Sequence, residues 1–378
     1  MKKSGNFKTL VAAVGTLTGT VIGAGILGLP YVIAKSGFLI GVIHIVLLGL
    51  IILLINLYIG EISLRTKGNH QLPGYANKYI GKPGKIFMII MMLFGVYSAL
   101  IAYLLGIGES LSFVIFGNLN LSLLFLIIVG VIISVIIAFG LKALRKVEGV
   151  GIFLIIGTVL VILIFFATKI KVSNLTYINP ALMFLPYGVV LFALLGFDIM
   201  PEMELVLKGK EKLLKKAIII GSLIPIAIYI VFVLAVVGFS GLSSPEIATF
   251  ALGRLPTLLG IFTMFTSLVA LSFVLRDMYV FDMKLGKILA WFLVTIVPLI
   301  ATLLIFIFKA ATFTQILGLA GSVTGGLTGI LILIMNKKAK KFGDRKPEYE
   351  LKLPWVLLII LAIMFILGIF YEIYMLFL

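Results

Sequence analysis

Gly23-Ala24-Gly25-Ile26-Leu27-Gly28-Leu29-Pro30-Tyr31 lies inside the first long apolar run, residues 9–34. The run is long enough to cross a bilayer as a helix, which takes about 20 residues. Its middle is poor in helix formers. Gly15, Gly19, Gly23, Gly25 and Gly28 fall close together, and Pro30 follows. Each glycine inside a helix costs about 1 kcal/mol relative to alanine. The expectation is a helix broken at mid-membrane depth. Irregular backbone there is tolerated only where protein buries it or a wet cavity receives it. Gly15, Gly19 and Gly23 also recur at every fourth position, the spacing of a small-residue packing face. Both readings can hold in one span, with packing on its first half and the break on its second.

The surrounding chain fixes the class. Its 378 residues are 62% hydrophobic and 12% charged, with a mean hydropathy of +1.29. No soluble core needs that much apolar surface, so the chain reads as an all-α polytopic membrane protein. Eleven spans are expected, at 9–34, 38–60, 86–112, 121–141, 151–168, 181–207, 217–240, 256–280, 286–308, 312–335 and 354–377. The first run is too long for a signal peptide and lacks a small-residue cleavage site, so no cleaved leader is expected. The chain has no cysteine, which excludes disulfides and thiol chemistry, and His44 and His70 are far apart. With no convergent nucleophile and base, an enzyme is not expected. No ring of charge suggests a channel.

The net charge is +17. Placing the N-terminus in the cytoplasm puts twenty-six Lys and Arg residues in inner segments. Five, namely Lys35, Lys169, Lys171, Arg254 and Lys309, then fall outside. That asymmetry orients the chain in the plasma membrane with the N-terminus inside and the C-terminus outside. The positive charge faces anionic lipid, and no nucleic-acid partner is expected. In the inner segment 61–85, Pro73-Gly74 and Lys82-Pro83-Gly84 are turn signals, and a short cytoplasmic surface helix is expected between them.

The sixth span repeats the theme of the first. It reads Phe192-Ala193-Leu194-Leu195-Gly196-Phe197-Asp198-Ile199-Met200-Pro201-Glu202. A break at Gly196 would let Asp198 cap a second half-helix, with Pro201 and Glu202 in its first turn. Asp198 also reads as a group that handles an ion or a proton. Two interrupted spans five apart fit an inverted repeat of five plus five helices, with the breaks meeting at the midplane. Repeat one covers 9–168, repeat two covers 181–335, and 354–377 is an extra helix. In such carriers the substrate and coupling ion bind at the breaks. On the eighth span, Thr263, Thr266 and Ser267 share a helical face. Hydroxyls beside freed first-span carbonyls would suit a hard cation such as sodium, although Ser and Thr also simply bond to the preceding turn. Glu109, near the outer end of the third span, reads either as an ion-coupling carboxylate or as a group reaching the interface. Gly321, Gly325 and Gly329 in the tenth span look like close helix packing.

These residues resemble a known family. Gly-Ala-Gly-Ile-Leu-Gly-Leu-Pro-Tyr at 23–31, with Lys35-Ser36-Gly37 after it, looks like the amino acid/auxin permease family of the amino acid–polyamine–organocation superfamily. Tyr103…Gly108-Glu109 is similar to that family's Tyr…Gly-Asp pattern, with Glu in place of Asp. The sixth span resembles the wider superfamily. The resemblance implies a LeuT-like fold with discontinuous first and sixth helices, and secondary active transport by alternating access. It places the substrate carboxylate on the backbone of Gly23, Ala24, Gly25 and Ile26, which agrees with the affinity of helix N-termini for anions. It places the ammonium near Val21, Phe192 and Ala193, beside the break at Gly196. Selectivity falls to Tyr97, Tyr103, Phe192 and Leu195, which are mostly apolar and suit a neutral amino acid. Sodium-coupled relatives imply a Na+ site at the Gly19 and Ile22 carbonyls with Thr266 and Ser267. Residues 151–168 lack the lysine that some proton-coupled relatives carry, which leaves protonation at Asp198 or Glu109. The expectation is therefore cation-coupled symport of an amino acid, driven by Na+ or H+ and needing no cofactor. An amino acid exchanger or a non-transporting sensor is the alternative.

Overall fold

The structure, a computed structural model, describes residues 2–68, 70–140 and 167–376 together with Gly157. The first span is two helices. α1 (Lys2–Val21) stops at Ile22-Gly23, a 3-10 turn follows over Ala24–Gly28, and α2 (Leu29–Ser36) resumes. The halves are bent by 44°. The Gly23 N–H donates back to the Val21 carbonyl at 2.9 Å, so the helical ladder ends there. Pro30 sits in the first turn of α2, where its missing N–H is harmless. Gly37 ends α2 at φ +115°, a conformation glycine holds without strain. The chain then turns straight into α3 (Phe38–Arg65).

The short helix expected in the 61–85 segment is α4 (Leu72–Tyr79), which starts before Pro73-Gly74 and takes both into its first turn, where the proline's missing N–H is harmless. It is docked rather than lying free on the surface. Leu72, Tyr75, Ala76 and Tyr79 recur at helical spacing and are all buried. That burial, with Glu204 nearby, pushes the Tyr75 hydroxyl above its ordinary pKa. α5 (Lys82–Phe116) has 35 residues and outruns the expected 86–112 at both ends. α6 (Ser122–Phe139) is the fourth span. The expected fifth span, 151–168, lies almost wholly outside the described residues.

The sixth span is also broken. α7 (Pro186–Leu194) and α8 (Met200–Val206) are separated by Leu195-Gly196 and a 3-10 turn over Phe197–Ile199. At nine and seven residues neither half crosses a membrane alone. α9 (Leu214–Ser240), α10 (Arg254–Asp277) and α11 (Lys287–Phe308) follow. The tenth span is α12 (Phe313–Ala320) and α13 (Gly326–Phe342), joined by a π-helical segment over Gly321–Gly325. Its glycines do bring helices close: a Cβ on Gly321 would lie 2.5 Å from the Phe192 nitrogen. α13 runs past the expected end at 335 and shortens the basic loop behind it. α14 (Trp355–Leu376) is the eleventh span. Among the described residues eight helices are long and apolar enough to cross a membrane, or nine with the bent first pair. The sixth span escapes that count because its break divides it.

Residues 343–354 strap across the end of α3 that faces the basic loops. Glu61, fully buried, accepts from Arg65 Nε at 2.9 Å and from the Leu351 N–H at 3.1 Å. Tyr349 donates its hydroxyl to the Leu57 carbonyl at 2.7 Å. Asp344 pairs with Lys78 and accepts from the Lys67 N–H at 2.7 Å, and these donors hold its carboxyl below the usual range. Removing one partner of a buried ion pair costs about 3–5 kcal/mol. Glu61→Ala is therefore expected to lower the melting temperature and to speed hydrogen exchange at Leu351. Unchanged protection of that amide would show that the strap holds without Glu61.

Candidate functional site

The two breaks face each other across a cavity of about 200 Å³. The first span contributes Gly19, Thr20, Val21, Ile22, Gly23 and Gly25, and the sixth contributes Phe192, Ala193, Leu195 and Asp198. α5 supplies Met92, Gly95, Val96, Ala99 and Tyr103, and α10 supplies Thr263, Thr266, Ser267 and Leu271. Ala320 and Thr324 close the wall from the tenth span. On one side of the breaks Ile26, Leu27 and Leu317 are buried. On the other side, towards the basic loops, Thr20 and Asp198 are exposed to the cavity.

Five residues named from the sequence stand elsewhere. Tyr97 is rotated away on α5. The lining positions 92, 95, 96, 99 and 103 form one helical stripe, and Tyr97 lies off it. Its hydroxyl donates to the Leu293 carbonyl at 2.9 Å and meets the Tyr279 hydroxyl at 2.8 Å. Gly196 packs on α1, where a Cβ would lie 2.6 Å from Val21 Cγ2 and 3.0 Å from Leu17 Cδ1. Ala24 and Ile26 are buried inside the 3-10 turn, off the cavity wall. Glu109 lies beyond the cavity, and the charged group facing it is Glu246.

The backbone at the breaks is held by a residue the sequence reading missed. The Tyr229 hydroxyl on α9 lies 2.7 Å from the Val21 carbonyl and 2.8 Å from the Ala193 carbonyl, so one proton serves an acceptor from each broken span. The Tyr229 side chain is fully buried. The Val21 oxygen also accepts the Gly23 N–H, so both of its lone pairs are engaged and it has none left for an ammonium. Gly25 is where the two breaks come closest. A Cβ there would lie 2.9 Å from Ala193 Cα and 3.1 Å from Phe192 Cδ1. Gly23 instead faces open space, with Ser267 Oγ and Tyr103 Oη both 4.0 Å from where its Cβ would stand.

The hydroxyls of α10 divide. Thr263 donates to the Leu259 carbonyl and Thr266 to the Thr263 carbonyl, each at 3.0 Å, so both are bonded to their own helix. Ser267 is the one that faces Gly23 across the cavity. Asp198 is not a cap: it lies within the 3-10 turn, and neither Gly196 nor Ile199 makes a capping side-chain bond. Its carboxylate faces the cavity. Among the described residues no group of three or more His, Cys, Asp or Glu side chains could hold a metal. Ala320 and Thr324 carried no chemical signal in the sequence, since they sit in a run read as packing. Tyr229 looked like any aromatic in an apolar helix.

Known proteins share this architecture. The family model of the tryptophan/tyrosine permease family matches residues 6–374. That family is a neighbour of the amino acid/auxin permeases that the first-span motif resembles. Tyrosine-specific transport system 1 of Haemophilus influenzae is 31% identical over 230 residues, 59% of this chain and 56% of that protein. The match thus spans about half of that relative's length. Glutamine transporter 2 of Aliivibrio fischeri is 27% identical over 340 residues, 84% of this chain and 86% of that protein. The solved structure of MhsT in complex with L-phenylalanine superposes with a TM-score of 0.59 at 16% identity, covering 97% of each chain. That likeness establishes the LeuT-like fold.

Proposed function

Because the chain belongs to the tryptophan/tyrosine permease family, a family of permeases and not of enzymes, we propose that it is a secondary active transporter of a neutral, aromatic amino acid. It works by alternating access in the plasma membrane, with the N-terminus cytoplasmic and the C-terminus outside. The observation that carries this reading is the cavity into which both broken spans open. A small zwitterion there meets backbone donors of one break and backbone acceptors of the other. The substrate carboxylate sits at the start of the 3-10 turn, by Gly23 and Gly25, where the half-helix N-terminus favours an anion. The ammonium faces the Phe192 and Ala193 carbonyls, because the Val21 carbonyl is already satisfied. The side chain lies among Met92, Val96, Ala99, Tyr103, Phe192 and Leu195, an apolar wall that suits a ring. The names of the tyrosine-specific relative and of the phenylalanine complex point the same way. With the cavity accessible on the basic-loop side, the described state is the inward-facing one.

Coupling to a cation is part of the proposal. For sodium, the ligands are the Gly19 and Ile22 carbonyls with Ser267, joined by Thr266 once its hydroxyl leaves its own helix. For a proton, Asp198 is the cavity-facing carboxylate. The test is uptake of labelled tyrosine, tryptophan, phenylalanine and glutamine into proteoliposomes under separate sodium and proton gradients. The expected result is accumulation of an aromatic amino acid under one gradient. Uptake only into vesicles preloaded with amino acid would replace symport by exchange, and binding without any flux would make the protein a sensor. If sodium drives uptake, Ser267→Ala is expected to raise the half-saturating sodium concentration by about tenfold or more, the effect of losing roughly 1.4 kcal/mol of ligation. An unchanged value removes Ser267 from the ion site.

A further inference from the structure

α14 carries a carboxylate that the cavity does not use. Glu372 is buried, with 8% of its surface exposed. Its Oε1 accepts the Gly188 N–H at 3.0 Å, in the first turn of α7. The carboxylate lies against α12 as well: a Cβ on Gly318 would stand 2.7 Å from Oε2 and 3.1 Å from Cδ. A methyl on Gly188 would meet both Glu372 Oε1 and the Gly318 carbonyl oxygen. Two glycines on two helices therefore leave the space this carboxyl group fills, and the Gly318 carbonyl borders it. Among the described residues no Lys, Arg or His pairs with it. The titratable groups facing it are Tyr187 on α7 and Tyr371 on α14. Behind Tyr371 stand Phe184 and, beyond that ring, His44 on α3. The tenth span offers no titratable side chain between Phe313 and Asn336.

We propose that Glu372 is a proton-binding site whose occupancy is linked to the substrate cavity through α7 and α12. A buried carboxylate is costly at membrane depth. One N–H donor and the positive end of α7 offset part of that cost. The Glu372 Oε1 and the Gly318 carbonyl oxygen both crowd the one point where a Gly188 Cβ would stand, so two acceptors border the same space. Taking one proton from the solvent turns the carboxylate into a carboxylic acid, which can donate an O–H to that carbonyl while still accepting from Gly188. Protonation therefore replaces a repulsion between α14 and α12 by a hydrogen bond, and deprotonation returns the proton to the solvent. Both helices end at the cavity: α7 leads into Phe192 and Ala193, and α12 ends at Ala320. The eleventh helix is then the element that reports external pH to the breaks.

The experiment is pH-difference infrared spectroscopy on the full chain in nanodiscs, which detects the C=O stretch of protonated carboxylic acids without any substrate. The expected result is a buried-acid band that grows as pH falls, is lost in Glu372→Gln and persists in Asp198→Asn. A band unchanged in Glu372→Gln overturns the proposal. Linkage is read from tyrosine binding between about pH 5 and about pH 8. The apparent Kd is expected to change by about threefold or more in the wild type and to stay flat in Glu372→Gln. A wild-type pH profile retained by Glu372→Gln overturns the linkage. Should Glu372→Gln fail to fold, Glu372→Asp keeps a titrating group but shortens its reach, and an unshifted infrared midpoint in that variant counts against the site. The linkage readout rests on the transport reading above. If no amino acid binds the wild type, that reading fails on its own while the infrared band still decides the proton site.

Discussion

Gly23→Ala and Gly25→Ala are both expected to weaken amino acid binding by about 100-fold or more, and only the second to disturb the fold. At Gly25 the new methyl would stand 2.9 Å from Ala193 Cα, a backbone atom that cannot rotate away, and 3.1 Å from Phe192 Cδ1. The two breaks must then separate. Overpacking of this kind costs about 1–3 kcal/mol, so the melting temperature falls along with the affinity. At Gly23 the methyl meets nothing closer than 4.0 Å, and the extended backbone, φ −111° and ψ −157°, suits alanine. The fold is untouched, but the methyl occupies the gap between Tyr103 and Ser267 where the substrate carboxylate is placed. A loss of about 100-fold in Kd or more is expected, corresponding to roughly 2.7 kcal/mol. Tyrosine binding and thermal unfolding of the two variants decide the matter. Wild-type affinity in Gly23→Ala means that the carboxylate sits elsewhere.

Tyr229→Phe is expected to keep the packing and lose transport. The phenyl ring fills the same buried volume on α9, so no cavity opens. The lost hydroxyl leaves the Ala193 carbonyl without that donor and removes a hydrogen bond shared by both breaks. An unmet buried acceptor costs about 1–3 kcal/mol, so the melting temperature drops modestly. The larger effect falls on turnover. Once untied, the breaks of the first and sixth spans no longer move together, and uptake should fall by about tenfold or more while binding weakens less. The comparison of initial uptake rate with Kd is the check. Wild-type uptake in Tyr229→Phe would reduce the tie to packing.

Much of the site was legible because glycine and proline are conspicuous in an apolar helix. Gly23, Gly25 and Pro30 marked the first break, and Gly196 with Pro201 marked the second. The spacing of the two breaks supplied the architecture. What was lost was orientation about a helix axis. Tyr97 and Tyr103 are equally polar and stand on one helix, yet six residues set them about 120° apart around its axis, so only one faces the cavity. Asp198 matched a capping pattern, but the chain enters α8 through a 3-10 turn, and that turn places the side chain in the cavity instead. Contacts between distant segments leave no local trace. Tyr229 meets Val21 across more than two hundred residues, and Glu372 meets Gly188 across nearly as many. Nothing around Tyr229 distinguishes it from its apolar surroundings, and Glu372, the one charged residue of α14, stands out itself while its partner on α7 does not.

The strap behind α13 has a consequence in time. Its lysines and arginines, with those at the end of α13, were counted as an orientation signal, which acts while the chain is being inserted and depends little on nearby acids. At that stage Glu61 on α3 has no strap to bind. Once α13 and α14 are in place, Arg345 reaches the Leu64 carbonyl and Lys340 approaches Glu61 and Glu350 at 4.0 and 3.7 Å. The same charges thus serve first in biogenesis and later in the folded protein. A neutral substitution at Lys340 or Arg345 would strike both stages, whereas one at Lys338 or Lys341, which stay exposed, would strike only the first.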